Sequence, residues 1–461
     1  MESSEQREPL LSKEPEKKYS LTEAFKSLKR NPRDFWMLFL LELFSLGPFS
    51  ISVVSNVIYN TRILGFSDKE AGMLVGLLGI SVAFSSIAFS NLPARYGLKW
   101  SFILSGILGM AFTFLMYLQF HRYIQIALTF FLFIPSAAIC FISLKLGIKL
   151  FTFPESRSLG YSLFFMCFFL VAGFAAGYSD IILSIYGTTQ EAFDVIFISC
   201  FVFNALLVIF AMPIRNLDVE ATGEEHVELN TDVSGWEYTR EVLVTKKFWK
   251  FFALIMLLTV IKSMYFHLTA TLPLYMYRSI EEGAHFGYLM GVHQVVLLIF
   301  IPLLTALIRH FNFYSLLQIG SFVTALSPAV LFYDNNYVTL GIFVVFLSIG
   351  ESIYAPRLVD YTIAAAPKGK EAIYLGLSNM PNSLGLLLTG ITSGIFMSNY
   401  CPEGEPKECY LVWILIGAYC IVACIAIFVF RGFFEEKPIT DSDITEEKSN
   451  QAKSKNITII E

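Results

Sequence analysis

Long apolar segments recur along most of the 461-residue chain, and short polar turns separate them. A helix that crosses a bilayer needs about 20 mostly apolar residues. Twelve segments approach or exceed that length, so the pattern predicts a membrane-spanning helix at each of them. Their approximate limits are 34–58, 71–91, 100–119, 123–149, 158–184, 192–213, 249–277, 286–308, 314–333, 337–362, 372–397 and 411–431.

The spans fall into two equal sets. Six lie in residues 34–213 and six in residues 249–431, and the polar stretch 214–248 joins the sets as a central loop. Residues 1–33 form a polar tail that ends in a short amphipathic lead-in helix, and residues 432–461 form a second tail that we expect to be disordered. The predicted fold is an all-α membrane protein with twelve transmembrane helices in two six-helix halves.

The two halves also repeat weakly in sequence. Arg-Asp-Phe-Trp at 33–36 enters the first span, and Lys-Lys-Phe-Trp at 246–249 enters the seventh span 213 positions later. Tyr161 and Tyr374 correspond at the same offset. These matches indicate a duplication, and transporters built from two such halves bind solute near the membrane midplane between the halves.

Basic residues are distributed unequally between the two sets of loops. One set carries Arg95, Lys99, Lys149, Arg157, Arg309, Lys368, Lys370 and Arg431, whereas the other carries Arg62, Lys69, Arg122, Arg278 and Lys407. Because Lys and Arg in short loops favour the cytosolic side, both termini and the central loop are predicted to be cytosolic. The loop between Cys401 and Cys409 then faces the oxidising side, where we expect a disulfide between them.

Composition and motifs exclude several functions. Charged residues make up only 15% of the chain, against about 25% in soluble domains, and the net charge is −5. The sequence contains no Walker A loop, HExxH or GxSxG motif, and no basic stretch typical of nucleic-acid binding. We therefore expect no enzyme, cofactor or metal site, and the expected partners are a small-molecule solute, protons and the lipid bilayer.

Four ionisable side chains fall inside predicted spans: Glu42, Lys145, Lys262 and Glu351. An acidic side chain at the bilayer centre costs roughly 2.5 to 3.5 kcal/mol and usually faces a bundle interior or a watery cavity. Two of the four are acidic and two basic, so pairing across helices could neutralise them all. Glu351 is our first candidate for a proton carrier, and a static ion pair from span ten to span four or seven is the alternative.

Neighbouring side chains suggest a solute cavity around these charges. Lys262 is central in span seven, where it cannot easily reach the membrane surface, and Tyr265 lies nearly one turn further on. Tyr354 lies nearly one turn beyond Glu351. We expect Lys262, Tyr265 and Tyr354 to contribute to substrate binding, whereas His267 is either a proton relay or a hydrogen-bonded packing residue.

The turn between the second and third spans, residues 91–99, has the sequence Asn-Leu-Pro-Ala-Arg-Tyr-Gly-Leu-Lys. It resembles the Gly-x-Leu-Ala-Asp-Arg-x-Gly-Arg-Lys loop of the major facilitator superfamily, with matches at Arg95, Gly97 and Lys99. Ala94 stands at the aspartate position. The resemblance implies a cytosolic gate loop at the three matching residues, whereas a simple basic turn is the alternative.

Three further stretches resemble the proton-dependent oligopeptide transporter branch of that superfamily. Residues 42–47 are similar to the end of its ExxERFxYYG motif, residues 157–166 to its Arg-Asp-x-Gly-Phe-x-x-Phe-Tyr-Met signature, and Gly350-Glu351 with Pro356 to its Gly-Glu-x-x-x-x-Pro element.

The resemblance extends the list of candidate residues. It implies proton coupling by Glu42 as well as Glu351, and binding of a substrate carboxylate by Lys145 in span four. A structural hydrogen bond for Glu42 and a snorkelling position for Lys145 stay open. The branch's first-span Arg is replaced by Leu43, and its earlier Glu by Phe39. These departures leave the solute open.

The sequence thus predicts a secondary active transporter that works by alternating access. The favoured function is proton-coupled symport of a small organic solute, with di- and tripeptides first. The alternatives are an uncoupled carrier of another small solute such as an amino acid, and a non-transporting membrane receptor or scaffold. We expect a monomeric multi-pass protein of the plasma membrane or an endolysosomal or vacuolar membrane.

The predicted orientation can be tested with a tag at the C-terminus. Protease added to sealed, right-side-out vesicles should leave the tag intact, because the basic loops place that tail in the cytosol. Lysed vesicles should lose the tag under the same treatment. Digestion of the tag in sealed vesicles would contradict the orientation.

Overall fold

The computed structural model describes residues 21–89, 92–153, 156–215, 244–281, 283–308, 311–365, 380–404 and 408–434. Helices and their connecting turns make up this described part, in which no strand occurs. Its helices are α1 (Leu21–Arg30), α2 (Arg33–Ile58), α3 (Asp68–Ala88), α4 (Leu92–Tyr96), α5 (Leu98–Tyr117), α6 (Arg122–Leu128), α7 (Ile134–Phe151), α8 (Arg157–Tyr186), α9 (Gln190–Ala211), α10 (Lys246–Ala270), α11 (Leu272–Ser279), α12 (Phe286–Leu307), α13 (Phe313–Leu326), α14 (Tyr337–Ala365), α15 (Met380–Tyr400), α16 (Tyr410–Val429) and α17 (Arg431–Phe434). The all-α prediction is confirmed.

Three irregular turns continue helices of this set. The π-helical turn Tyr59–Ile63 extends α2, and another, Thr129–Phe133, joins α6 to α7. A 3₁₀ turn, Ser327–Phe332, extends α13. These extensions give the first, fourth and ninth spans their full length.

Eleven helical segments within the described ranges are long and apolar enough to cross a membrane. They match eleven of the twelve predicted spans in position. The predicted span 372–397 coincides in part with α15, and its first residues lie outside the described ranges. The predicted tails and most of the central loop also lie outside them.

The chain contains two compact units. The first comprises residues 1–66, 80–226 and 285–298, and the second comprises the remaining three stretches, 67–79, 227–284 and 299–461. The predicted division into residues 34–213 and 249–431 stays a prediction, since the first part of α3 belongs to the second unit and the first part of α12 to the first.

Local chemistry explains where several helices begin and end. The side chains of Thr189, Thr245 and Asn312 accept hydrogen bonds from backbone N–H groups in the first turns of α9, α10 and α13, which satisfies donors that a helix start leaves open. Gly97, with φ of 83°, precedes α5, and Gly187, with φ of 68°, follows α8. Only glycine adopts these angles without strain.

A hydrophobic cluster holds the first unit together. Phe35 and Leu41 of α2 pack with Leu144 and Ile148 of α7, and all four side chains are fully buried. Leu28 of α1 joins the same cluster. The lead-in helix is thus attached to the first span by apolar contact.

Glycines let two helices of the second unit approach closely. A Cβ atom on Gly390 of α15 would lie 2.8 Å from the Cα atom of Gly76 in α3, and one on Gly72 would lie 2.9 Å from the Cα atom of Gly394. Backbone atoms cannot move aside as a flexible side chain can. The packing of α3 on α15 therefore requires small residues.

This packing makes a prediction about Gly390. Gly390→Ala should destabilise the protein by roughly 1 to 3 kcal/mol, because the new methyl group overpacks the helix contact. The control is Gly341→Ala in α14, where a Cβ atom would meet nothing within 4 Å. Thermal melting in detergent should show a lower midpoint for the first variant alone. Equal midpoints would contradict the requirement for glycine.

Candidate functional site

An ion pair lies inside two spanning helices of the second unit. Lys262 is in the middle of α10 and Glu351 is in the middle of α14, and the Nζ atom of the lysine contacts Oε1 of the glutamate. The side chains are 15% and 7% exposed, respectively. The structure therefore pairs Glu351 with the seventh-span lysine.

Aromatic rings surround the lysine end of this pair. The Lys262 ammonium lies 4.3 Å from the centroid of the Tyr265 ring and 5.8 Å from that of Phe266. Both distances fall within the range in which a ring face attracts a cation. The lysine thus has electrostatic support besides Glu351, which lowers the cost of weakening the ion pair.

Tyr354 lies on the same helix as Glu351 and is only 2% exposed. Its hydroxyl has no hydrogen-bond partner among the described residues. The backbone of Tyr354 lies against Gly320 of α13, where a Cβ atom would come within 2.8 Å of the tyrosine Cβ. This close helix contact fixes the backbone position from which the Tyr354 side chain extends.

His267 is part of a closed hydrogen-bond network in the second unit. Its Nδ1 lies 2.5 Å from Oγ1 of Thr271, and its Nε2 lies 2.7 Å from the hydroxyl of Tyr419 and 3.3 Å from Oγ1 of Thr392. The histidine is fully buried. Both ring nitrogens have hydroxyl partners, an arrangement that is compatible with the packing role and with the proton relay.

Glu42 lies in α2 of the first unit and is only 1% exposed. Neither carboxylate oxygen has a nitrogen or oxygen partner among the described residues. The thiol of Cys167 in α8 lies beside the carboxylate, and Cys140 of α7 is within its electrostatic reach. The Cys167 thiol is thus the hydrogen-bond partner of Glu42 in this part of the structure, and both the structural hydrogen bond and the proton-coupling role stay predictions.

Lys145 contrasts with Lys262. Its side chain is exposed, and no ion pair to it occurs among the described residues. Its backbone carbonyl accepts a hydrogen bond from the Tyr161 hydroxyl at 3.3 Å. The arrangement leaves the ammonium free to bind a solute or to snorkel.

The predicted gate loop forms a short turn between two helices of the first unit. Arg95 is exposed at the end of α4, with its guanidinium carbon 5.5 Å from the centroid of the Tyr96 ring. Gly97 lies at the left-handed position between α4 and α5, and Lys99 is half-buried in the first turn of α5. The glycine therefore has a conformational role, and the two basic residues flank it.

The sequence analysis did not predict a set of buried arginine hydrogen bonds in the second unit. Both terminal nitrogens of Arg278 donate to the Asp68 carboxylate at 2.8 Å, and Nη1 also donates to the carbonyl of Cys401 at 2.8 Å. Cys401 and Cys409 are joined by a disulfide, with Cα atoms 4.5 Å apart. The only sequence signal was an arginine on the side poor in basic residues.

The sequence analysis also did not predict a second polar contact. Asp180 of α8 accepts a hydrogen bond from the backbone N–H of Gly287 at 3.1 Å, and lies 3.0 Å from Nδ1 of His285. Asp180 is near the end of an apolar run, and nothing in its immediate sequence indicates a partner more than 100 positions away.

The sequence of the chain matches the model of the Major Facilitator Superfamily over residues 38–333 and 265–460. These two matches together cover most of the chain. The chain belongs to the major facilitator superfamily. Membership confirms the predicted family, and it makes the protein an integral, multi-pass membrane transporter by fold.

Individual relatives agree with this family but are distant. A probable sphingolipid transporter, spinster homolog 1 of Arabidopsis thaliana, is 25% identical over 187 residues, which cover 38% of this chain and 37% of that protein. The alignment thus spans just over a third of the relative's length.

Solved structures share the fold across nearly the whole chain. A POT family transporter in complex with 5-aminolevulinic acid gives a TM-score of 0.68 at 16% identity, covering 88% of this chain and 97% of that one. The nucleoside transporter NupG gives 0.66 at 16% identity, covering 88% and 100%. At these identities the likeness establishes the fold alone.

The ion pair makes a prediction about stability. Lys262→Met should destabilise the protein more than Glu351→Gln, because it removes the ammonium that contacts the buried Glu351 carboxylate, and breaking a buried pair costs about 3 to 5 kcal/mol. The double variant should lose less stability than the two single variants lose in sum. Melting midpoints in detergent measure this coupling. Additive losses would show that the pair contributes nothing as a pair.

Proposed function

We propose that this superfamily member is a proton-coupled symporter of a small organic solute, with di- and tripeptides as the leading substrates. The observation that carries the proposal is the Lys262–Glu351 ion pair inside two spanning helices. A charge pair in that environment is costly to keep and costly to break singly. Protonation of this pair can therefore change the relative stability of its paired and unpaired forms.

The chemistry of the pair supports coupling. Protonation of Glu351 removes its charge and releases the Lys262 ammonium, which would then be a buried cation without a counter-ion. A solute carboxylate can replace the glutamate as its partner, while the ring of Tyr265 holds the cation at 4.3 Å. Proton and solute thus favour each other's binding, which is the thermodynamic requirement for symport.

The remaining candidate residues have further roles in this proposal. The Tyr354 hydroxyl, which has no partner within the described ranges, can donate to a solute oxygen. Lys145 supplies an exposed cation in the first unit, Glu42 a second carboxylate, and Arg95, Gly97 and Lys99 a gate loop. Alternating access would then expose the loaded site to each side of the membrane in turn.

Peptides are the first substrate class for two reasons. The element Gly350-Glu351 with Pro356 resembles the oligopeptide branch, and a solved POT family transporter that shares the fold holds 5-aminolevulinic acid, an amino acid derivative. A free carboxylate on the solute suits Lys262. Sphingolipids are the second class, because the Arabidopsis relative is named a probable sphingolipid transporter.

The test is uptake into proteoliposomes of a labelled panel that includes dialanine, an amino acid and a sphingoid base. The wild-type protein should accumulate dialanine only when an inward proton gradient is imposed. Uptake of a panel member at a rate that does not depend on the proton gradient would instead indicate an uncoupled carrier.

Glu351→Gln separates coupling from binding, because glutamine keeps the size and hydrogen bonding but cannot titrate. Gradient-driven accumulation should be lost, whereas exchange of labelled for unlabelled solute should survive. Surviving exchange in the Glu351→Gln protein also shows that the variant is folded and still binds solute. Normal gradient-driven accumulation in a well-folded Glu351→Gln protein would remove Glu351 from the mechanism.

A further inference from the structure

The first span carries a polar stripe, of which the proposed function uses only Glu42. Glu42, Ser45, Ser52, Asn56 and Tyr59 recur in α2 and its π-helical extension at intervals of three, seven, four and three residues. These intervals place them near one face of a helix. At 1.5 Å per residue the stripe extends for about 25 Å, which is most of the roughly 30 Å thickness of a bilayer core.

A first cavity lies beside this stripe, entirely within the first unit. Its volume is about 20 Å³, and a cavity of about 10 to 15 Å³ already holds one water molecule. Six of its lining side chains bear a hydroxyl or amide group: Ser45, Ser52, Ser105, Thr113, Ser136 and Asn204. Polar lining of this kind favours water over an empty void, and the volume is too small for an organic solute.

Pro48 also lines the first cavity. It lies inside α2 and has no N–H group, so the carbonyl of Phe44 loses its helical donor. An unsatisfied carbonyl in a membrane helix is satisfied by water or by a neighbouring donor. The proline thus adds an acceptor to this face of the helix.

A second cavity of about 30 Å³ continues along α2. Ser52, Phe112 and Phe133 line both cavities, which makes the two cavities neighbours. Ser55 lines the second cavity and is 3% exposed, and its hydroxyl has no partner among the described residues. Because buried hydroxyls are almost always hydrogen-bonded, this orphan hydroxyl indicates a water partner in the cavity.

Two hydrogen bonds lead from the second cavity towards the end of the first span. The Tyr59 hydroxyl donates to Oε1 of Gln125, and Nε2 of Gln125 donates to the carbonyl of Phe120 at 2.7 Å. Tyr59 and Gln125 both line the cavity. Phe120 lies in the exposed turn between α5 and α6. The hydrogen bonds from Tyr59 through Gln125 to Phe120 therefore end near the membrane surface.

Glu42 lies at the other end of the polar stripe, one turn from Ser45, and its side chain lines neither cavity. The Ser45 hydroxyl donates to the carbonyl of Glu42 at 3.2 Å, and the Cys140 thiol, which lines the first cavity, is hydrogen-bonded with Ser45. The titratable groups that face the carboxylate are Cys140 of α7 and Cys167 of α8. The third helix packed on α2, α9, contributes the Asn204 amide to the first cavity and no charged group to either cavity.

We propose that water in these two cavities forms a proton path along the first span, which connects Glu42 with the membrane face at Tyr59 and Gln125. A proton enters at that end as hydronium, and each water or hydroxyl accepts one proton and donates another. Glu42 accepts the last proton and becomes a neutral acid. The step needs no co-reactant, and it rests on the proposed function, since it supplies protons to a symporter.

The first test detects the water itself and needs no solute. X-ray radiolysis of the full-length protein in detergent oxidises side chains that lie next to ordered water, and mass spectrometry locates them. Phe112 and Phe133 should be oxidised well above Phe102, which is fully buried and lines neither cavity. Phe112 and Phe133 as unreactive as Phe102 would overturn the proposal.

The second test compares two isosteric substitutions in proteoliposomes. Ser52→Thr keeps a hydroxyl where the two cavities meet, whereas Ser52→Val has the same shape and interrupts the path. The initial rate of dialanine uptake driven by a proton gradient should fall by about tenfold or more in the Val variant relative to the Thr variant. Exchange of labelled for unlabelled dialanine needs no net proton movement and should be equal in both.

The two ideas fail in different ways. Equal gradient-driven rates in Ser52→Val and Ser52→Thr, with a coupled wild-type protein, would overturn the proton path and leave the symport proposal standing. A wild-type protein that exchanges dialanine but never responds to the proton gradient would refute proton coupling, and the path with it.

Discussion

The cost of placing charge in a hydrocarbon layer is the constraint on which the rest of this structure depends. Eleven helical segments in the described ranges are apolar enough to span a bilayer, and inside them a lone carboxylate or ammonium group is expensive. The second unit meets this cost by joining Lys262 to Glu351. Such a pair gives little net stability compared with apolar residues of the same volume, so its presence calls for a functional explanation.

The first unit meets the same constraint differently. Glu42 has no cationic partner among the described residues and lies at one end of a polar stripe that borders two small cavities. A carboxylate in these surroundings is accommodated by proton uptake or by water. The two units therefore hold two carboxylates in different chemical settings, one in an ion pair and one without a cationic partner among the described residues, as expected if each has its own part in handling protons.

Much of the fold could be predicted because span location depends on local hydropathy. Eleven spans were predicted from apolar segments, and charged residues inside those segments were identified as Glu42, Lys262 and Glu351. The choice of partner could not be predicted, since Lys145 and Lys262 both lie in apolar stretches and only tertiary packing selects one of them. Arg278 and Asp68 are 210 positions apart, and their contact likewise depends on helix packing.

The cavities beside α2 were beyond prediction for a related reason. Serines and threonines in membrane helices often bond back to their own backbone, as Thr113 and Ser143 do here. Sequence alone does not distinguish these from Ser55, whose hydroxyl finds no partner in the described structure. Only the packing of α2, α5, α7 and α9 shows which hydroxyls face a shared space.

Coupling between proton and solute is reciprocal, and this gives the most direct measurement. Proteoliposomes loaded with a pH-sensitive dye receive an inward dialanine gradient, with no proton gradient and with the membrane potential clamped. The account predicts that dialanine entry acidifies the lumen in the wild-type protein, and that Glu351→Gln admits dialanine without acidification. Dialanine entry into wild-type vesicles at constant internal pH would contradict the account.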